Sequence, residues 1–408
     1  MKLRVTKNFV VKSCVCSIMI LWLTLSSCGL QEEAPVTVAS IETTELSNVC
    51  TAADMARSDP EQKRLEARCE EIAAVYRDTY ESFQQNQPIA QSGIDEIECL
   101  LIEAGYDVLD TNGDYPAYLT TADRFYDFWD SVRRGEDAEQ EMIRITEAGD
   151  LSYILFTYQG GEANFFTMRY CFDGAVFYEK HQVLDWEVTD RGHFYFRIYS
   201  AGDKHYADYT LIRLTPPDQT LYDMTLRYIL PIGYATTNLF LSDWSETDWG
   251  ELSLNDLWDC LYYAHFGEQP ISDAYVFHDE PEHYEVPAAE FESLIQSYFQ
   301  ISREKLRDLA FYQKEGDYYP WMPLLTNETK WSPVIEPEVT SYETNPDGMV
   351  TLTVDVLCTD QKMDCLFTHE VTIRLLEHGQ FQYVGNKITY RTEYDIPTSE
   401  PRLSGAEF

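Results

Sequence analysis

The chain has 408 residues, enough for two domains with cores of their own, and its 44% hydrophobic and 14% aromatic content excludes disorder for most of it. Its 70 acidic residues against 30 basic ones give a formal charge of −40. Such a balance excludes nucleic acid as a partner and excludes lying flat on an anionic bilayer.

The first 28 residues read as a targeting segment. Lys2, Arg4, Lys7 and Lys12 form a basic start. Val15 to Leu25 is an apolar core, too short for a spanning helix of about 20 residues. Leu25-Ser26-Ser27-Cys28 then has the form of a lipobox, in which the cysteine is diacylated and becomes the new N-terminus. The expectation is a lipoprotein signal over 1–27, lipid on Cys28, and the folded part held on the extracytoplasmic face of the cell membrane. Cleavage removes four basic residues and no acid, leaving −44. Residues 28–49 lack aromatics and apolar periodicity and read as a tether spanning on the order of 25 Å.

Helical patterns come next. Pro60 opens one with Leu65, Cys69, Ile72 and Tyr76 on one face. Ser92 with Asp95 resembles a capping box ahead of a second, which Gly105 ends. A third starts near Thr121, carries Phe125, Phe128, Trp129 and Val132, and ends on Arg133-Arg134-Gly135. The period then changes to two. Runs at 142–146, 151–158, 164–171, 176–180, 183–189, 193–199 and 209–214 predict an antiparallel meander with one buried face. Helices at 218–228 and from Ser253 to Gly267 follow.

Residues 268–286, with Pro270, Pro281 and His278-Asp-Glu-Pro-Glu-His283, read as an acidic linker. Pro287 and Ser302 start two more helices, and strands near 339–343, 350–357, 366–376 and 381–390 complete a second meander. The fold class expected is therefore α+β: an N-terminal domain over 50–267, a linker over 268–286, a C-terminal domain over 287–395 and a loose tail over 396–408. Helices precede each sheet and do not alternate with its strands, which excludes a doubly wound fold.

Candidate sites are few. Asp110-Thr-Asn112-Gly-Asp114 begins like a calcium loop, but its twelfth position is Thr121 where a bidentate Glu is needed. His369-Glu370 begins like a zinc-protease helix, yet Ile373 stands where the second His belongs, in a strand. His278 and His283 lack anything to fix them as metal ligands, so no metal and no cofactor is expected. Seven cysteines lie beyond Cys28, an odd number that excludes a complete disulfide framework. Cys358 and Cys365 flank a six-residue loop between two strands; they form either a disulfide or two small apolar strand-end residues. Trp244 and Trp249, among Asp243, Glu246, Asp248 and Glu251, make a candidate ligand surface of the kind that suits a sugar.

No nucleophile elbow, P-loop or dinucleotide fingerprint occurs. The expected role is thus a non-enzymatic binding or assembly module, its protein or glycan partner unspecified. Two alternatives are a transporter's solute-binding lipoprotein, which needs two βαβ lobes, and a carboxylate-based extracellular hydrolase.

Several phrases carry a resemblance, among them GIDEIECLLIEAGYDVLD, YDFWDSVRRGEDAEQEMIRITEAG, LYDMTLRYILPIGY, EFESLIQSYFQISREKLRDLA and EPEVTSYETNPDGMVTLTVDVL. Together they resemble an uncharacterised family of gut clostridial lipoproteins, defined only as a domain of unknown function, over roughly residues 50–395. The resemblance implies the lipid anchor and a Gram-positive host, and no activity, ligand or catalytic residue.

Overall fold

A computed structural model describes residues 60–83, 88–110, 117–199, 208–323, 334–396, 399, 401–403 and 408. Cys28, the signal segment and the tether lie outside the described residues. The chain divides into two compact units at Pro216–Pro217.

The N-terminal unit starts with two helices, α1 (Pro60–Phe83) and α2 (Gln91–Glu103). α2 has Ala90 at its N-cap with no side-chain cap, so the box expected from Ser92 does not form. Two-residue strands β1 (Leu109–Asp110) and β2 (Tyr118–Leu119) precede α3 (Asp123–Arg134). Then comes the meander of β3 (Ala138–Ile145), β4 (Leu151–Gln159), β5 (Glu162–Tyr170), β6 (Val176–Val188), β7 (His193–Tyr199) and β8 (Thr210–Arg213). The two runs expected at 176–180 and 183–189 are one strand, β6, whose register against β7 shifts between Val183 and Asp185. A bulge keeps both apolar sets usable by bending the strand without ending it.

The sheet order is β1-β2-β8-β7-β6-β5-β4-β3. A parallel bridge between Val108 and Ile143 joins its two ends, so the sheet closes on itself and leaves little open edge.

Both faces of β3–β5 are covered, not one as expected. Ile143, Leu151, Tyr153, Leu155, Phe166 and Met168 pack against Leu65, Ile72, Tyr76, Ile97 and Leu101 of α1 and α2. The alternate residues Met142, Ile154, Phe156 and Phe165 pack with Phe194, Phe196 and the α3 residues Phe125 and Phe128. Full burial of each such side chain contributes roughly 1.5–3 kcal/mol.

The C-terminal unit begins with α4 (Gln219–Met224), capped by the Asp218 carboxylate on the Thr220 and Leu221 amides and running into a π turn at Thr225–Ile229. After β9 (Trp244–Ser245) come α5 (Leu254–Phe266), β10 (Val276–Asp279), β11 (Glu282–Pro287), α6 (Ala288–Tyr298), α7 (Arg303–Leu309) and β12 (Tyr318–Trp321). The unit ends with the meander β13 (Ile335–Thr344), β14 (Val350–Cys358), β15 (Met363–Leu375) and β16 (Phe381–Arg391).

Two sheets result, β13-β14-β15-β16-β9 and β10-β11-β12. Val350, Leu352, Val354 and Val356 of β14 join Phe240, Trp258, Phe291, Phe299 and Tyr383 in one core. Gly385 is needed where β16 meets β9, because a Cβ there would lie 2.9 Å from the Trp244 carbonyl oxygen.

Three expected boundaries are corrected. α5 belongs to the C-terminal unit, since Leu254, Leu257, Trp258 and Leu261 lie in its core, so the first unit ends near 216 and not at 267. The linker assigned to 268–286 contains the β10–β11 hairpin, paired in turn to β12. The loose tail assigned to 396–408 carries Arg402 and Leu403, and Leu403 is buried.

Arg402 holds that segment through charge. Its Nη1 and Nη2 reach the two carboxylate oxygens of Asp259 at 2.6 and 3.0 Å. Its Nε and backbone N–H donate to the Asp256 carboxylate at 3.2 and 3.1 Å, and Nη1 also donates to the Met322 carbonyl at 2.8 Å. Trp321 Nε1 donates to Asp259 as well. Burial raises the Asp256 carboxyl above its ordinary range, with Arg402 pulling the other way.

Breaking a buried pair on one side costs about 3–5 kcal/mol, because the other charge stays buried. Arg402→Ala is therefore expected to destabilise the C-terminal unit by about that amount in urea unfolding at neutral pH. A native carboxyl pKa raised above its unfolded value costs stability as pH rises between the two values. The Arg402→Ala penalty should accordingly shrink toward acid pH, where Asp256 is protonated in both states. A penalty independent of pH contradicts the assignment.

Candidate functional site

Asp107 follows α2 and lies at the floor of a cleft between α3 and β3. It is 2% exposed, and its carboxylate takes three side-chain donors. Thr121 Oγ1 donates to Oδ1 at 2.9 Å, Arg124 Nη2 to Oδ1 at 2.8 Å, and Gln140 Nε2 to Oδ2 at 2.8 Å. The Asp107 carbonyl accepts the Ile143 N–H at 2.9 Å, beside the Val108–Ile143 bridge that closes the sheet. One residue thus ties the end of α2, the start of α3 and the middle of β3 together.

The local sequence explains how the walls form. α3 has Asp123 in its first turn and Arg133 and Arg134 in its last, both favourable to the helix dipole, and stops at Gly135 with φ 73°. Its apolar face seats Phe125 and Phe128 in the core. Arg124, Asp127 and Ser131, spaced three and four apart, share the neighbouring stripe and line the cleft. On β3, Gln140 turns inward to Asp107, while Glu139 and Glu141 alternate to the side of α1.

The cleft is open to solvent, has a volume of about 370 Å³, and is lined by Asp107, Arg124, Asp127, Phe128, Ser131 and residues 138–141. That volume lies within the range of small-ligand sites, roughly 300–1,000 Å³.

Its charges are unequally committed. Glu141 receives the Arg68 guanidinium on both oxygens, at 3.1 and 2.7 Å, and the Tyr153 hydroxyl at 3.1 Å. Burial pushes the Glu141 carboxyl up, but Arg68 and Tyr153 outweigh it and hold the group below its ordinary value. Glu139 takes Arg64 at 3.2 Å and Gln159 at 3.3 Å. Arg124 is committed through one nitrogen only: Nη2 serves Asp107 and the Gly105 carbonyl. Its Nε and Nη1 make no hydrogen bond to the described residues, and half of its side chain is exposed.

The sequence-named residues lie elsewhere. Trp244 and Trp249 are not a ligand surface. Each is 5% exposed; their rings stack at 5.7 Å and both meet Phe299 edge-on. Trp244 Nε1 donates to the Leu239 carbonyl at 2.8 Å. The surrounding carboxylates serve the fold: Glu246 receives a two-pronged contact from Arg374 at 2.8 Å on each oxygen, and Asp243 accepts the Ile388 amide at 2.8 Å. Phe299, Arg374 and Ile388 all come from distant parts of the chain, which made this core contact invisible in the local sequence.

Cys358 and Cys365 are not bonded to each other. A register shift after Val356 sets Cys358 opposite Met363, and Cys365 Sγ lies 3.4 Å from Thr368 Oγ1. The small-residue alternative is the one the structure takes.

His369 is fully buried between Tyr234 Oη and Asn386 Oδ1, each at 2.7 Å. Burial lowers its pKa to about 4, so the ring is neutral, donating from Nδ1 to Asn386 and accepting Tyr234 at Nε2. His278 and His283 pair across the β10–β11 hairpin, ring on ring. In the would-be calcium loop, Asp110 accepts the Tyr118 hydroxyl, and residues 111–116 lie outside the described residues. Among the described residues no group of three metal-ligating side chains gathers.

No sequence reading singled out the Asp107–Arg124 cleft. Its one local signal is Arg124 on the polar face of a strongly amphipathic helix; Asp107 and Gln140 meet it only through sheet closure.

Fold and cleft together define an α+β protein of two units, the first a closed sheet carrying an arginine-bearing cleft. The chain belongs to a family of unknown function, DUF6070, matched over residues 62–402. No curated protein and no solved structure matches it.

Asp107→Asn puts an amide where three donors converge, and a lost hydrogen bond to a charged group costs about 1.5–3 kcal/mol. The expected outcome is a loss of about 2 kcal/mol in the denaturant stability of the N-terminal unit. A variant as stable as wild type refutes the role given to this carboxylate.

Proposed function

We propose that the chain is a surface lipoprotein, held by lipid on Cys28, whose N-terminal unit is a non-enzymatic binding module for a small zwitterion. The observation that carries the reading is Arg124, fixed by Asp107 through Nη2 while Nε and Nη1 make no hydrogen bond among the described residues. A guanidinium anchored through Nη2 keeps separate N–H donors on Nε and Nη1, each suited to a charge-assisted hydrogen bond with a carboxylate oxygen. Asp127, on the same helix stripe and in the same cleft, supplies the complementary charge for an ammonium group.

Long-range electrostatics favour a zwitterion over a plain anion. A chain at −40 repels anions from a distance, whereas a ligand of zero net charge meets no such barrier. Free amino acids and short peptides have this chemistry.

The anchor rests on Lys2–Lys12, the short apolar core and Leu25-Ser26-Ser27-Cys28. One acyl chain gives only reversible membrane binding, and two anchor stably. No helix among the described residues is long and apolar enough to cross a membrane.

Binding is tested by thermal shift on protein starting at Cys50, with free amino acids and dipeptides, and acetate and methylammonium as single-charge controls. Binding to the native state raises the melting temperature by mass action. Zwitterions should raise it in wild type and not in Arg124→Ala, and the controls should have little effect. No shift with any zwitterion, or an equal shift in Arg124→Ala, overturns the reading. Separately, Cys28→Ala should move the protein from the membrane fraction to the soluble fraction; continued membrane retention refutes the anchor.

A further inference from the structure

The outer edge of β10 has the properties of a docking strand. β10 ends the three-stranded sheet β10-β11-β12 and, among the described residues, pairs only with β11. The link between them is two residues, Glu280 and Pro281, so Asp279 and Glu282 form the pair next to the turn. In an antiparallel pair, hydrogen-bonded and non-hydrogen-bonded positions alternate, and side chains lie closest at the latter. The stacked His278 and His283 rings, 4.7 Å apart and 4° from parallel, mark their position as non-hydrogen-bonded. Val276, two residues earlier and opposite Glu285, is therefore also non-hydrogen-bonded to β11. The backbone N–H and C=O of Val276 and His278 point away from β11, toward the open edge.

That edge is apolar, and no strand among the described residues pairs with it. Within β10, Val276 is 59% exposed and Phe277 44%. Sheet edges are ordinarily blunted by lysine, proline or a covering element, and Val276-Phe-His-Asp279 contains neither lysine nor proline. The surroundings carry one sign of charge. Glu268, Asp273, Asp279, Glu280 and Glu282 are exposed, and residues 266–285 include no Lys or Arg.

We infer that this edge accepts an extended segment of a protein partner, added as a fourth strand, with apolar residues at alternate positions and Lys or Arg between them. Backbone pairing supplies affinity in strand addition, and side chains supply specificity. The apolar positions meet Val276, and the basic ones meet Asp279 and the acidic surroundings. Pairing of two copies through this edge is disfavoured, because it sets the same carboxylates against each other in chains already at −40.

The test uses the protein from Cys50 onward and a labelled peptide, Lys-Val-Thr-Val-Lys-Val-Thr, read by fluorescence anisotropy, with a Glu-for-Lys peptide as control. Saturable binding is expected for the basic peptide, at least tenfold weaker for the acidic one, and weaker as salt rises. Val276→Pro removes an outward N–H that β11 does not use and should weaken binding at least tenfold with unchanged circular dichroism. The double variant Asp273→Lys, Asp279→Lys leaves the backbone intact and should reverse the preference between the peptides. The inference is overturned by absent binding of the basic peptide, by equal binding of both peptides, by a preference that the double variant leaves unchanged, or by a concentration-dependent dimer that Val276→Pro abolishes.

Discussion

The buried carboxylate of Asp107 is the constraint on which the N-terminal unit and its cleft depend. A closed sheet of strands as short as β1 and β2 needs something beyond strand pairing to hold its seam, and here the seam runs through one residue. The Asp107 backbone bonds Ile143 on the far end of the sheet, while its side chain gathers Thr121, Arg124 and Gln140. A buried charge is stable only when its lone pairs are used, and three donors at 2.8–2.9 Å use them. The same arrangement fixes one nitrogen of Arg124 and leaves the rest of the guanidinium in the cleft. The seam of the sheet and the exposed donors of the cleft therefore come from one set of contacts.

The C-terminal unit handles buried polarity in two other ways. Asp256 and Asp259 are met by Arg402, which comes from more than 140 residues along the chain to pair with both. His369 loses its charge instead: burial lowers its pKa, and Tyr234 and Asn386 satisfy the neutral ring. Paired, converged upon or neutralised, each of these groups obeys the rule that an isolated charge does not survive in a core. Asp150 and Glu292, also buried, are likewise paired, with Arg169 and with Arg303 and Arg307.

Much of the fold was legible in the sequence. α1, α3 and α5 follow their apolar periods, Gly135 and Gly267 end helices as read, and β14 alternates residue by residue. What was not legible depended on distance along the chain. Residues 268–286 are rich in acid and proline, yet pairing to β12 makes them a sheet. The last residues have no apolar period, yet one arginine anchors them to α5. The cleft suffered most: its components lie at 107, 121–131 and 138–141, and nothing in their spacing predicts that closure of a sheet brings them together. Trp244 and Trp249 erred in the opposite sense, since tryptophan beside carboxylates looks like a surface until Phe299 and Arg374 arrive from elsewhere.

Hydrogen exchange at the Ile143 amide tests the central claim most directly, comparing wild type with Asp107→Asn. If the carboxylate holds the seam and the cleft, the variant should exchange faster at Ile143 and at the first turn of α3, while the β4–β5 amides keep their protection. Unchanged protection at Ile143 and α3 in the variant, or uniform loss across the unit, contradicts it.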